Sequence, residues 1–442
     1  MFKEYTREFS KNLTIAYPIM FGQIAHLLVA LADNIMVGKL GAAQLAAVSL
    51  GNTLIFIALS VGIGFSFAIT PLVAEADAQG NYKRVKSIFH NGVLICILNG
   101  VLLCALLLIA EPILYMLDQP EEVVVLAVPY MRVVAYSLIP LMLFQAIKQF
   151  SDGLSFTIYA MYATLVANVI NVILNYLLIY GEFGFPRLEV VGAAYGTLVA
   201  RILMIPFLIF LLSRKDMFKQ YFADFSSFSV SVIRRLLNLG VPTALQMFFE
   251  VSLFTAAIFM CGMISTNAQA ANQIALNLSA LTFMVGVGLG VTATIRVGNQ
   301  YGKKDFIELK RIASSIFLLT LMIEIVFALA FYFGKDILPW IYIQDVQVIQ
   351  IASSLLIVAA IFQISDGLQV VLLGSLRGLQ DVWIPSLICF VSYWLFGLPV
   401  SYYLGLVKGI GAMGVWIGLL VGLTISAILM YSRFRYLVSR YF

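Results

Sequence analysis

Apolar residues along this 442-residue chain come in long runs separated by short polar stretches. Twelve of these runs reach the 17 to 20 residues that cross about 30 Å of hydrocarbon at 1.5 Å per residue. They lie near 12–37, 44–73, 88–110, 123–147, 157–180, 190–212, 233–262, 268–297, 312–334, 346–374, 383–404 and 409–432, and are numbered here helix 1 to helix 12. The pattern predicts an all-α polytopic membrane protein with 12 transmembrane helices and short connections.

The pattern also repeats. From Tyr17 the chain reads YPIMFGQIAHLLVALADNIMVG, and from Val241 it reads VPTALQMFFEVSLFTAAIFMCG, so that Pro18 falls on Pro242 and Gly38 on Gly262 at an offset of 224 residues. V-G-I-G at Val61 to Gly64 lands on V-G-V-G at Val285 to Gly288, and Thr70 on Thr294. Polar turns at Gln79 to Lys83 and Gln300 to Lys304 match at a slightly shorter spacing; D-G-L at Asp152 matches R-G-L at Arg377, and G-A-A at Gly192 matches G-A-M at Gly411. A fixed internal period marks a duplicated half-molecule. Each half holds an even number of crossings, so the expectation is two six-helix lobes related by a pseudo-two-fold along the membrane normal. The expected bounds are 1–212 for the N-lobe, 213–231 for a cytoplasmic linker and 232–442 for the C-lobe.

Composition strengthens this picture. At 62% hydrophobic, 11% charged and a mean hydropathy of +0.99, the chain lies far from a soluble globule, which is about 45–50% apolar and about 25% charged. The net charge of +5 does not point to nucleic acid, because the basic residues are sorted by loop. With the N-terminus inside, 20 of 27 lysines and arginines fall in the segments on that side, four on the other, and Arg132, Arg201 and Arg296 within helices. Both termini are therefore expected in the cytoplasm by the positive-inside rule. The first helix is too long for a signal h-region and is expected to remain in the mature protein. Cys96, Cys104, Cys261 and Cys389 all fall within apolar helices and read as buried thiols. Neither a Walker A pattern nor a glycine-rich phosphate loop occurs, so a pump of this sequence would draw on an ion gradient.

Placing a charge at the bilayer centre costs about 2.5–3.5 kcal/mol on the insertion scale, which makes an intramembrane acid a functional candidate. Three acids stand out: Asp33 in helix 1, Glu250 in helix 7 and Asp366 in helix 10. Helix 5 carries Asn168, Asn171 and Asn175 on one face at spacings of three and four, and Asn171 and Asn175 are expected to hydrogen-bond Asp33. Interhelical adhesion alone would also suit such a stripe. Glu250 and Asp366 form the pair of the second half. Two carboxylates out of water require either a proton on one of them or a cation such as Na⁺ between them. His26 occupies the position in helix 1 that Glu250 holds in helix 7, and reads either as a packing residue or as a participant in coupling. His90, near the start of helix 3, is expected to be solvated beside a basic loop. Pro18 and Pro242 lie inside their helices and permit bends.

Taken together, the two parallel repeats, Pro18 and Asp33 followed by N-x-M-V-G, the pair Asn171 and Asn175, Glu250, A-N-Q-I-A-L-N at Ala271 to Asn277, and Asp366 resemble the multidrug and toxic compound extrusion (MATE) transporters of the bacterial NorM-like branch. The resemblance covers the whole chain. It implies a V-shaped fold of two lobes, a bacterial inner-membrane location, and export of organic, mostly cationic and aromatic compounds in exchange for inward Na⁺ or H⁺. It further implies that Asp33 with Asn171 and Asn175 is an N-lobe protonation and substrate site, that Pro18 bends helix 1, that Glu250 and Asp366 hold a cation such as Na⁺, and that Gln273 lines the cavity. One departure is Phe362, where some members carry a tyrosine one turn before the helix 10 acid, so a possible oxygen ligand for sodium is missing.

The expected function is thus a secondary active multidrug antiporter: a monomer in the lipid bilayer, with small organic cations and Na⁺ or H⁺ as partners, no nucleic acid partner, and no cofactor beyond the coupling ion. A lipid-linked oligosaccharide flippase of related architecture is the alternative, although its cleft would be lined by arginines. An enzyme is not expected, because the two histidines are far apart and no H-E-x-x-H pattern occurs.

Overall fold

The computed structural model describes residues 5–116, 120–222 and 228–440, and every regular element among them is helical. Twelve helices are long and apolar enough to cross a membrane: Phe9–Gly38, Ala42–Ala78, Tyr82–Tyr115, Glu121–Gly153, Thr157–Tyr180, Glu189–Ser213, Val230–Ile264, Thr266–Lys303, Phe306–Gly334, Val346–Gly378, Trp383–Val407 and Ala412–Ser439. They are helices 1 to 12 of the sequence, most of them extended by a few residues at one or both ends, whereas helix 5 keeps its expected bounds.

Caps and tight turns explain where several helices stop, and they recur in both halves. The Asn81 side chain accepts from the Arg84 N–H and starts helix 3; the Asp305 side chain accepts from the Glu308 N–H and starts helix 9. Just before these caps Gly80 and Lys304 both adopt left-handed backbone, at φ 66° and 58°. The turns therefore match at the full 224-residue offset, with Gly80 opposite Lys304. Pairing them through Gly302 at a shorter spacing is incorrect, because equivalence follows backbone conformation and not the glycine letter.

Packing repeats as well. A Cβ on Gly153 would meet the Val73 side chain at 2.8 Å and the Thr70 carbonyl at 3.0 Å, while one on Gly378 would meet Val297 at 2.9 Å and the Thr294 carbonyl at 3.0 Å. These glycines let helix 4 approach helix 2, and helix 10 approach helix 8, at the same point of each repeat. In the last third the backbone contacts pair Gly192, packed on Leu178, with Gly414, packed on Leu404, three residues beyond the match read from G-A-A and G-A-M.

The chain divides into two compact units, Phe21–Ala244 and Met1–Met20 together with Leu245–Phe442. Both divisions lie two residues after an in-helix proline, Pro18 or Pro242, although helices 1 and 7 run unbroken through them. The start of helix 1 thus packs with the second half and the start of helix 7 with the first, so the compact units do not part at the 213–231 segment. Within that segment residues 223–227 lie outside the described residues, and Asp216–Phe222 is a short helix rather than an open connection. Its buried Phe218 and Tyr221 pack edge-on against Phe150. His90 is consequently buried, its Nε2 2.8 Å from the Tyr221 carbonyl oxygen; the expectation of a solvated histidine fails because this helix covers it. All four cysteines are buried free thiols.

Candidate functional site

In the unit Phe21–Ala244, the apolar pattern of helix 5 turns Asn171 and Asn175 into the bundle, where both are buried. Asn175 Nδ2 donates to Asp33 Oδ1 at 2.6 Å and to Asn171 Oδ1 at 3.2 Å. With the Asn171 amide turned so that its nitrogen and oxygen exchange places, its nitrogen donates to Asp33 Oδ1 at 3.0 Å and its oxygen accepts from the Thr197 N–H at 3.2 Å. A Cβ at Gly196 of helix 6 would collide with the Asn175 amide oxygen, so glycine there makes room for the asparagine. The third member of the stripe, Asn168, leaves its amide nitrogen without a partner.

Arg201 of helix 6 is buried, donates to Ser137 Oγ at 2.6 Å, and lies within electrostatic reach of both Asp33 and His26. His26 itself is exposed on helix 1. This half therefore holds a carboxylate that already has a fixed amide donor and a nearby guanidinium. Two further buried acids, Asp152 and Glu75, are ion-paired near helix ends, with Lys148 at 2.8 Å and with Arg84 and Arg235 at 2.8 and 3.0 Å.

The other unit is arranged differently. Glu250 and Asp366 are 6% and 4% exposed, and Glu250 Oε1 and Asp366 Oδ1 have no hydrogen-bond partner among the described residues. Asp366 lies within electrostatic reach of Glu250, and Arg377 is the basic side chain that acts on Glu250. Gln363, one turn before Asp366, is buried with neither amide atom bonded. Unsatisfied polar groups at this depth are costly unless an ion or a proton completes them.

Phe362 is buried against Phe254 and Trp416, with ring centroids 6.1 and 5.2 Å apart, so it supplies no oxygen. A phenol comes instead from helix 11. Tyr393 is fully buried, its OH accepts from Gln369 Nε2 at 2.7 Å, and it lies within electrostatic reach of Glu250 and Asp366. It sits in a widened, π-helical stretch, Val391–Gly397; such stretches recur at functional sites.

The sequence reading missed a fourth intramembrane acid. Glu324 of helix 9 is 1% exposed, and Asp366 lies within its electrostatic reach. Its signal was present, a lone acid deep in an apolar run, but no polar stripe accompanies it on its own helix. Gln273 is exposed on helix 8 and donates to Asn277 Oδ1 at 3.0 Å. Among the described residues, no three His, Cys, Asp or Glu side chains are placed to hold a metal ion together. A groove of about 310 Å³ on helices 5 and 6, lined by residues such as Ile170, Leu203 and Phe207, is wholly apolar and contains none of these acids.

Comparison with known proteins agrees with the fold and the repeat. The MatE family model matches residues 18–177 and 242–403, one match in each half. The chain is 34% identical to a "Probable multidrug resistance protein NorM" of Rhizobium meliloti, covering 98% of this chain and 94% of that one. It is 32% identical to a "Multidrug resistance protein NorM" of Vibrio cholerae, covering 98% and 96%. Among solved structures, the Vibrio cholerae MATE transporter VcmN superposes with a TM-score of 0.90 at 18% identity, over 99% of this chain and 98% of that one.

Proposed function

The chain belongs to the MatE family, and on that premise we propose that it is a secondary active multidrug exporter, a transporter and not an enzyme, exchanging organic cations for Na⁺ or H⁺. Its relatives carry the name multidrug resistance protein. In this reading it works as a monomer in the bacterial inner membrane; the distribution of lysine and arginine supports placing both termini in the cytoplasm.

The observation that carries this reading is the pair Glu250 and Asp366, buried yet with carboxylate oxygens unpartnered. Ionised, the pair calls for a cation; neutralised by a proton or Na⁺, it no longer does. An ion and a cationic drug that compete for the same carboxyl groups weaken one another's binding by the same factor. Asp33, held by Asn175, acts as the second ionisable point, with Gln273 and His26 on drug-accessible surfaces. Glu250→Gln and Asp366→Asn, tested in an efflux-deficient host, should insert at normal levels and lose drug resistance. Wild-type resistance in both variants would overturn the reading.

A further inference from the structure

Helices 5 and 6 pack against each other and leave the open apolar groove between them. Its floor is made of small side chains, the buried Ala163 and Ala167, and its walls rise on Val166 and Ile170 of helix 5 and on Leu203 and Phe210 of helix 6. Val166, Leu203 and Phe210 are exposed, and on a span that crosses a bilayer such residues face lipid. The lining residues of helix 5 come 6 to 13 positions after its start at Thr157, and those of helix 6 come 3 to 10 positions before its end at Ser213. At 1.5 Å per residue the groove lies about 5–20 Å from these helix ends, which puts most of it in the adjacent leaflet of a core about 30 Å thick. Arg214, Lys215 and Lys219, just beyond Ser213, mark that leaflet as the cytoplasmic one.

Shape narrows the occupant. Along each helix the lining spans seven residue steps, about 10 Å, so a volume of about 310 Å³ gives a mean cross-section of about 30 Å². A helix about 10–12 Å across with its side chains needs about 80 Å² or more. The groove therefore fits a single file of methylene groups and not a helix of a second copy. The hydrocarbon around it is equally apolar, so a chain gains packing there but no hydrophobic free energy. Selectivity has to come from the headgroup.

A headgroup partner stands at the cytoplasmic end. The Arg214 guanidinium carbon lies 4.6 Å from the centroid of the Phe210 ring, directly over the last wall residue. Lys215 follows it, and both are exposed. Asp216 is taken by Lys219 at 2.7 Å, and among the described residues no carboxylate pairs with Arg214 or Lys215. The last carbonyls of helix 6 carry partial negative charge, so an anion here is held by these two side chains and not by the helix end. A guanidinium that stacks on a ring still presents its donors to phosphate oxygens. We propose that this groove is a binding site for an anionic phospholipid of the cytoplasmic leaflet, with one acyl chain along Ala163 and Ala167 and the phosphate on Arg214 and Lys215. The site lies apart from the intramembrane acids and does not depend on the antiport reading.

The test uses full-length protein reconstituted in vesicles of phosphatidylcholine and phosphatidylglycerol, released into detergent and examined by native mass spectrometry for retained lipid. Wild type should retain phosphatidylglycerol in preference to phosphatidylcholine. Arg214→Ala combined with Lys215→Ala, both on an exposed segment, should lower that preference about thirty-fold. Ala167→Phe, which fills the groove and keeps both charges, should lose the same lipid. If its melt shows that it does not fold, Leu203→Trp blocks the groove from the lipid-facing wall instead. Glycerol phosphate, which carries the anion without chains, should not compete. Equal retention of the two lipids by wild type, an unchanged preference in the double variant or in the folded groove variant, or competition by glycerol phosphate would overturn the proposal. So would a dimer that the groove variants abolish. Retention is read whether or not the protein exports a drug, so a failure here leaves the antiport reading standing.

Discussion

Asn175 Nδ2 lies 2.6 Å from Asp33 Oδ1, the shortest contact that helix 5 makes with helix 1 through a charged group. A hydrogen bond to an ionised carboxylate contributes about 1.5–3 kcal/mol, so Asn175→Ala should lower thermal stability and impair efflux. Gly196→Ala, which places a methyl group on the Asn175 amide without touching Asp33, should reproduce much of the efflux defect. Thermal unfolding and dye-efflux assays on both variants check this, and normal efflux in Gly196→Ala would sever the asparagine from the function of Asp33.

The start of helix 1 is tied to helix 8 through the buried Glu8, whose carboxylate lies 2.6 Å from the Arg296 guanidinium, while Asn12 bonds both Arg296 and Ser315. Burial pushes the Glu8 carboxyl group upward, but the hydrogen bond and charge of Arg296, together with Lys11, outweigh it and hold the group below its usual range. A lowered carboxylate stabilises the fold fully above its unfolded value of about 4.3, and that stability is lost as the pH falls through the folded value. Wild type should therefore destabilise more steeply than Glu8→Gln below about pH 4 in melts across pH. At neutral pH Glu8→Ala, which strands a mostly buried arginine, should cost about 3–5 kcal/mol.

Gly367→Ala should destabilise the protein by about 1–3 kcal/mol, because the new methyl group meets Glu324 Oε1 and the helix backbones have little room to part. In combination with Glu324→Ala the cost should fall, a non-additivity that a double-mutant cycle on thermal unfolding would measure. Strict additivity would mean that the glycine serves helix packing alone.

Because Gly153 and Gly378 make the same contacts in the two halves, Gly153→Ala and Gly378→Ala should lower the melting temperature by similar amounts. A large difference would show that the repeat survives in backbone but not in energetics.

The twelve helices, the duplication and the meeting of Asp33 with Asn175 were legible in the sequence because each depends on local periodicity or on two polar groups having nowhere else to go. Glu324 was not, since its niche is built from Gly286 and Gly367, whose proximity to helix 9 exists only after packing. His90 misled because its apparent neighbours in sequence are basic and solvated, whereas Tyr221, 131 positions away, is what covers it. Short-range matching of glycines also misplaced the turn before helix 9, where Lys304 takes the left-handed conformation that Gly80 takes in the first half.

The central claim is that an ion bound at Glu250 and Asp366 drives export. Its most direct test is efflux of a cationic dye from proteoliposomes under a sodium gradient alone and then a proton gradient alone, with wild type beside Asp366→Asn. The account predicts gradient-driven efflux by wild type under at least one ion and none by the variant under either. Equal efflux by the two proteins under the driving ion would contradict it.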